Sequence, residues 1–161
     1  MNILFVCLGN ICRSPTVEGV ARTLAAREAA HLQLRFDSAG TAGYHIGDAP
    51  DARSQRHALA RGYDISGLRG RQLAAEDFLR FDLLLAMDED NLAGMRAIAP
   101  HGYADRARLF LSYTPQRGRA VPDPYYEGPA AFETVLDLAE HGSRHLFVAL
   151  AAILIATAER P

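Results

Sequence analysis

Residues Asn2 to Cys7 read Asn-Ile-Leu-Phe-Val-Cys, a short run that is apolar almost throughout and is stopped by Gly9-Asn10. A strand with apolar side chains on both faces has to be covered on both, the condition of a parallel sheet between two layers of helices. Ser14-Pro15 then supplies an N-cap and a first-turn proline for a helix running to about Ala30. Leu32 to Ser38, ending at Ala39-Gly40, reads as a second strand, so the chain opens as strand, loop, helix, strand. Asp51 to Arg61, set between Pro50 and Gly62, reads as a helix. Phe81 to Met87 reads as a third buried strand, and Asp88 to Ile98 as a helix closed by Pro100. Arg108 to Leu111 suits a short fourth strand, and a loop from Thr114 to Pro124 leads to a last helix from about Pro129 to Glu159, weakest at Gly142-Ser143. No repeat or linker interrupts this alternation, which specifies a doubly wound α/β sheet. Ligands of such sheets sit beyond the carboxyl ends of the strands, and the first strand ends at Cys7.

The chain's 161 residues suffice for one core, burying roughly 70% of the unfolded surface. A net charge of -2 argues against a nucleic-acid or anionic-membrane partner held by bulk attraction, so any anion has to be bound locally. All 17 basic residues are arginine, which removes lysine chemistry and leaves planar forks suited to carboxylate or phosphate. The two cysteines, Cys7 and Cys12, are too close to staple a fold and too few for a zinc site. The start lacks a basic n-region and its apolar run is short, so the expected location is the cytoplasm. Leu146 to Ala158 is apolar over thirteen residues, short of the roughly 20 a bilayer needs, and reads as a buried helix rather than a membrane insertion.

Chemistry concentrates in Cys7-Leu8-Gly9-Asn10-Ile11-Cys12-Arg13-Ser14. Between a strand end and a helix N-terminus, the backbone N–H groups of such a loop can curl around an oxyanion that also feels the helix dipole. Gly9 and Asn10 are the residue types most willing to take the positive φ that such a curl requires. Arg13 can grip two phosphate oxygens, and its charge favours a thiolate at Cys7, which becomes a nucleophile in position. The Ser14 hydroxyl can cap the helix and hydrogen-bond the sulfur. The bland alternative makes Cys7 a small buried hydrophobe at a strand end.

The sequence resembles the low-molecular-weight protein tyrosine phosphatases. The likeness begins with Ile3 to Pro15 and Glu18 and runs through Asp37-Ser-Ala-Gly40, Asp64-Ile-Ser66, Arg71-Gln-Leu73, Phe81-Asp82, Met87-Asp88, Asn91 and Asp123-Pro-Tyr-Tyr126. It implies a single phosphatase domain over 1–161 and a four-stranded parallel sheet in the order 2-1-3-4. It also implies hydrolysis of phosphotyrosine and aryl phosphates through a phosphocysteine on Cys7. The loop residues Leu8 to Ser14 would hold the phosphate. A leaving phenol oxygen needs a proton, and Asp123, stiffened by the proline after it, is the implied general acid. Tyr44, Tyr125 and Tyr126 would wall the cleft with flat aromatic surface. Tyr125 and Tyr126 would also be phosphorylation sites. No metal or other cofactor is called for, because the loop amides and Arg13 supply the charge stabilisation. The implied partner is a tyrosine-phosphorylated protein, with a cognate tyrosine kinase.

One position departs from the family pattern. Many members carry a histidine that helps hold the loop asparagine where Leu68 stands here, so Asn10, Ser14 and Ser38 are expected to support the loop alone and the loop to be softer. Asp88 is expected to brace it. Three other functions share features of this chain: arsenate reduction, for which no further cysteine is present; arginine dephosphorylation, which typically has threonine in place of Ile11; and a phosphate sensor without turnover. His141 and His145, four apart on a helix, read as a solvated face; the other four histidines carry no signal. Glu76-Asp77 and Asp88 to Asp90 read as helix-start charges. Cys12 is also a candidate redox partner for Cys7 in a reversible disulfide.

Overall fold

A computed structural model of the protein describes residues 1–159. Four strands, β1 (Asn2–Cys7), β2 (Arg35–Gly40), β3 (Leu83–Ala86) and β4 (Ala107–Leu109), form one parallel sheet in the order β2-β1-β3-β4. The helices are α1 (Arg13–Glu28), α2 (Ala52–Ala60), the single turn α3 (Asp77–Arg80), α4 (Glu89–Ile98) and α5 (Pro129–Ala158). The architecture is the one expected, including the strand order.

Because β1 is central, its side chains feed both layers. Ile3 and Phe5 join the core under α1 and α5, while Leu4 and Val6 join the one under α3 and α4. Phe5 is fully buried, stacked on Phe36 at 5.8 Å and edge-on to Phe110 at 5.5 Å, a burial that stabilises by about 2–3 kcal/mol. The chain leaves β1 for β2 on one side and returns through β3 on the other. The winding therefore reverses between the ends of β1 and β3, where the Cys7 loop and Met87-Asp88 emerge.

Several boundaries differ from expectation. The second strand starts at Arg35, because Ala30–Leu32 closes a 3₁₀ turn and Gln33 takes a left-handed φ of 51°. The third is confined to Leu83–Ala86, and the fourth begins at Ala107 and ends where Phe110–Tyr113 winds into another 3₁₀ turn. Ser14 does not cap α1: the cap falls two residues earlier, at Cys12, and the Ser14 hydroxyl points elsewhere. Asp51 and Asp88 do cap α2 and α4, each accepting a backbone N–H two or three residues on. The helix α5 runs unbroken through Gly142, where a Cβ would stand 2.5 Å from the Phe110 ring. Here glycine admits a neighbour and does not weaken the helix.

Residues 132, 135, 136, 139, 143, 146, 147 and 150 of α5 give a buried stripe at helical spacing, packed on α1. By length and composition alone α5 could cross a bilayer. The reading of Leu146 to Ala158 as buried throughout is corrected: burial ends at Leu150, and Ala152 to Ala158 are exposed.

Candidate active site

The loop after β1 folds over the Cys7 sulfur. The Asn10 N–H points at Sγ from 3.3 Å, and Ser14 Oγ lies 3.0 Å away. Asn10 adopts φ 58°, the left-handed conformation that costs a non-glycine residue about 1 kcal/mol. Its side chain accounts for its presence there. Nδ2 donates to Ser14 Oγ at 2.8 Å and to Ser38 Oγ at 3.0 Å, and Oδ1 accepts the Arg71 N–H at 3.0 Å. At Gly40 the end of β2 passes so close that a Cβ would stand 2.6 Å from the Leu8 carbonyl oxygen.

These contacts fix the orientation of the Asn10 amide. The Arg71 N–H can only donate, so Oδ1 of Asn10 must face it and both Nδ2 protons face the two serines. Ser38 donates its own proton to Glu18 Oε2 at 2.7 Å. Ser14, already accepting from Asn10, has its proton left for Cys7 Sγ at 3.0 Å, nearer than its other acceptor, the Ala39 carbonyl at 3.5 Å. Glu18 is fully buried between Ser38 and Arg22, and desolvation holds its carboxyl above the usual range.

The Arg71 contact revises the expectation drawn from Leu68. Asn10, Ser14 and Ser38 do not support the loop alone, since the Arg71 amide and Glu18 complete the hydrogen bonding that the histidine would serve. Arg71 is itself clamped: Nη1 and Nη2 bind the buried Asp77 carboxylate at 3.0 and 3.1 Å, and Nε binds Asp37 at 3.1 Å. Leu68 packs against the core instead.

Arg13 is buried at the start of α1. Its Nη1 donates to Asp88 and to the Val121 carbonyl, and its Nη2 stands 3.8 Å from Asp123 Oδ2. Asp88 therefore braces the site as expected. With its amide turned to satisfy both neighbours, Asn91 donates to Asp88 Oδ1 at 3.0 Å and accepts the Leu8 N–H at 3.3 Å. Among the described residues, the N–H groups of Gly9, Ile11 and Cys12 have no protein acceptor, and that of Arg13 opens a helix, where none is available within the helix. Such converging donors make a cradle for an oxyanion. Asp123 is half-exposed, and its Oδ1 accepts the Tyr125 N–H at 3.1 Å, a turn that aims the carboxylate inward.

One cavity of about 240 Å³ is lined by Cys7, the loop from Leu8 to Arg13, Asp123, Tyr44, His45, Tyr125 and Tyr126. Ser14 meets the sulfur from beneath and does not line it. The family model described as low molecular weight phosphotyrosine protein phosphatase matches residues 2–154. The chain belongs to that family. A Bacillus subtilis relative bearing the name low molecular weight protein-tyrosine-phosphatase YfkJ is 37% identical over 151 residues, 93% of this chain and 96% of its own. A protein tyrosine phosphatase from Entamoeba histolytica, solved with Hepes in its active site, superposes with a TM-score of 0.89 at 35% identity, over 94% of this chain and 97% of its own. The arginine phosphatase YwlE, solved as a cysteine-to-serine mutant with a phosphorylated active site serine, superposes with a TM-score of 0.85 at 25% identity, over 94% and 96%.

This phosphatase keeps its nucleophile candidate sheltered. Cys7 is 3% exposed: the sulfur sits at the floor of the cavity, and Tyr44 and Tyr126, 75% and 93% exposed, stand at the rim. Cys12 is buried too, and burial pushes its thiol up to about 12. One residue of the phosphatase cavity and one that backs its wall escaped the sequence reading. His45 lines it and pairs with Asp48 at 3.1 Å, contrary to the reading that it carries no signal. Arg53 stacks on Tyr125 from outside, 5.4 Å from the ring centre. The signal for His45 was its place next to Tyr44; nothing in the sequence placed Arg53 against Tyr125. His141 is exposed on α5 with its ring 4.5 Å from that of His145, in keeping with a solvated face.

Proposed function

We propose that the protein hydrolyses phosphotyrosine in proteins, and aryl phosphates, through a phosphocysteine on Cys7. The observation that carries this reading is the convergence of the Cys7 sulfur, the Arg13 guanidinium and the Asp123 carboxylate on one aromatic-walled cavity. The Cys7 thiolate attacks phosphorus and the P–O bond to the phenol breaks, with Asp123 donating a proton to the leaving oxygen. Asp123, now ionised, takes a proton from water as that water attacks phosphorus; the S–P bond breaks and the Ser14 hydroxyl receives the departing thiolate. Throughout, the loop amides and Arg13 hold the equatorial oxygens. The phosphorylated serine of the mutant arginine phosphatase supports a phosphoryl group carried at the corresponding loop. The walls formed by Tyr44, Tyr125 and Tyr126 suit a flat phenyl ring. Replacing Cys7 by Ser abolishes turnover of para-nitrophenyl phosphate and retains affinity for inorganic phosphate; undiminished hydrolysis would overturn the reading.

The same loop supports redox control. Peroxide oxidises the Cys7 thiolate to a sulfenic acid with release of water, and the Cys12 thiol then attacks that sulfur, expelling a second water and forming a disulfide. Both thiols are free and buried on one short loop, which shields the pair from further oxidation and suits the reducing cytoplasm. Activity of Cys12→Ser does not return when thiol is added after peroxide; full recovery refutes the pairing.

A further inference from the structure

Three arginines converge on a groove of about 480 Å³ that shares no residue with the active-site cavity. Arg96 comes from α4, Arg108 from β4 and Arg117 from the loop that leads to Asp123. Ala107 and Leu109 face the core beneath α4, whereas Tyr113 packs on the core beneath α5. A groove that gathers Leu92 and Tyr113 together therefore wraps the outer edge of the sheet, at β4. Its floor is the buried Leu92 and Leu109.

The charge here is uncompensated. Six other arginines, Arg13, Arg22, Arg53, Arg61, Arg71 and Arg144, each hold a carboxylate within 4.0 Å. Among the described residues, no carboxylate lies that near Arg96, Arg108 or Arg117, all exposed, in a chain whose net charge is -2. Asp105 borders the adjoining hollow beside Arg108 without forming an ion pair. The edge itself is blunted against strand addition, since the Ala107 and Leu109 carbonyls already accept from Arg96 Nη2 at 3.0 Å and Ser112 Oγ at 2.6 Å. What the groove offers a partner is guanidinium N–H groups over an apolar floor, a match for carboxylates on an extended chain.

We infer that this groove docks an acidic segment of the phosphorylated protein substrate. The inference rests on the proposed function for its substrate, although the groove's chemistry is independent of the pocket's. Arg117 and Asp123 are six residues apart, at most about 20 Å along the chain, so one peptide with its phosphotyrosine in the pocket and a Glu/Asp tract some six residues away reaches both. The test compares two phosphotyrosine peptides that differ only in that tract, Glu/Asp against Ser/Gly. Wild-type protein uses the acidic peptide about tenfold better in kcat/KM, through KM, and the preference fades with added salt. The triple variant R96A/R108A/R117A loses the preference while its turnover of para-nitrophenyl phosphate is unchanged. Fluorescence anisotropy with the unphosphorylated acidic peptide shows binding to the wild type and not to the variant, whatever happens in the pocket. Equal use of the two peptides by the wild type, or the same preference in the variant, overturns the docking site. Absent para-nitrophenyl phosphate turnover with intact peptide binding overturns the proposed chemistry and leaves the docking site standing.

Discussion

Replacing Ser14 by Ala removes the one hydroxyl donor to the Cys7 sulfur and leaves it the Asn10 backbone N–H at 3.3 Å. Asn10 gives Ser14 a proton and Arg71 prevents the Asn10 amide from turning round, so no neighbour can substitute for the lost hydroxyl. While the thiolate waits for substrate this contact stabilises the ground state. While the phosphocysteine breaks down it strengthens as charge returns to sulfur, so it lowers the barrier of the second step only. A hydrogen bond to a charged group contributes about 1.5–3 kcal/mol, which sets the expected loss in kcat at about 10- to 100-fold. The variant also leaves one buried Asn10 N–H without its acceptor, costing about 1–3 kcal/mol and lowering Tm by several degrees. Stopped-flow with para-nitrophenyl phosphate well below Tm separates the two effects. Breakdown becomes rate-limiting, so a burst of nitrophenol close to one per active site precedes a slow steady state, while kcat/KM changes little. An unchanged kcat, or a parallel fall in kcat and kcat/KM without a burst, refutes the assigned proton direction.

Asp123→Asn lowers kcat/KM by about 10²–10⁴-fold for poor phenol leaving groups and much less for good ones, so a leaving-group series becomes steeply dependent on phenol pKa; an unaltered slope rules Asp123 out as the acid. Leu68→His changes kcat by less than about fivefold, because the Asn10 amide already has three partners and a single hydrogen bond adds only about 1 kcal/mol; a larger gain in activity and Tm shows that the Arg71 contact is insufficient. The Cys12 thiol is pushed up from an ordinary 9.0 to about 12, so the unfolded chain loses this proton first. The stability it lends is complete below about pH 9 and declines as pH climbs towards 12. Cys12→Ala flattens that alkaline decline in chemical denaturation; an identical alkaline limb removes Cys12 as its cause.

The sheet was legible because β1 and β3 are apolar at nearly every position, which only a doubly covered strand tolerates. Strand edges were less so, since Gln33 and the 3₁₀ turn at Phe110–Tyr113 are set by local backbone geometry that apolar periodicity does not encode. Cys7, Arg13 and the loop between them stand in one contiguous segment, and spacing alone brought them forward. Arg71, Glu18 and His45 reach the site by tertiary packing from separate elements. The consequence for Leu68 shows the difference: a missing side chain is visible in the sequence, but the backbone N–H that takes its place belongs to no residue type. The exposed end of α5 is the opposite case, where an apolar run reads as buried although its residues from Ala152 to Ala158 are exposed.

The central claim is a covalent phosphoryl group on Cys7. Acid quenching of the Ser14→Ala variant during turnover of para-nitrophenyl phosphate, followed by peptide mass spectrometry under conditions that preserve S–P bonds, tests it directly. The expected result is one phosphoryl increment on the peptide carrying Cys7, confined to Cys7 by fragmentation and absent from Cys7→Ala/Ser14→Ala. Turnover and a nitrophenol burst with the phosphoryl group on another residue would contradict it.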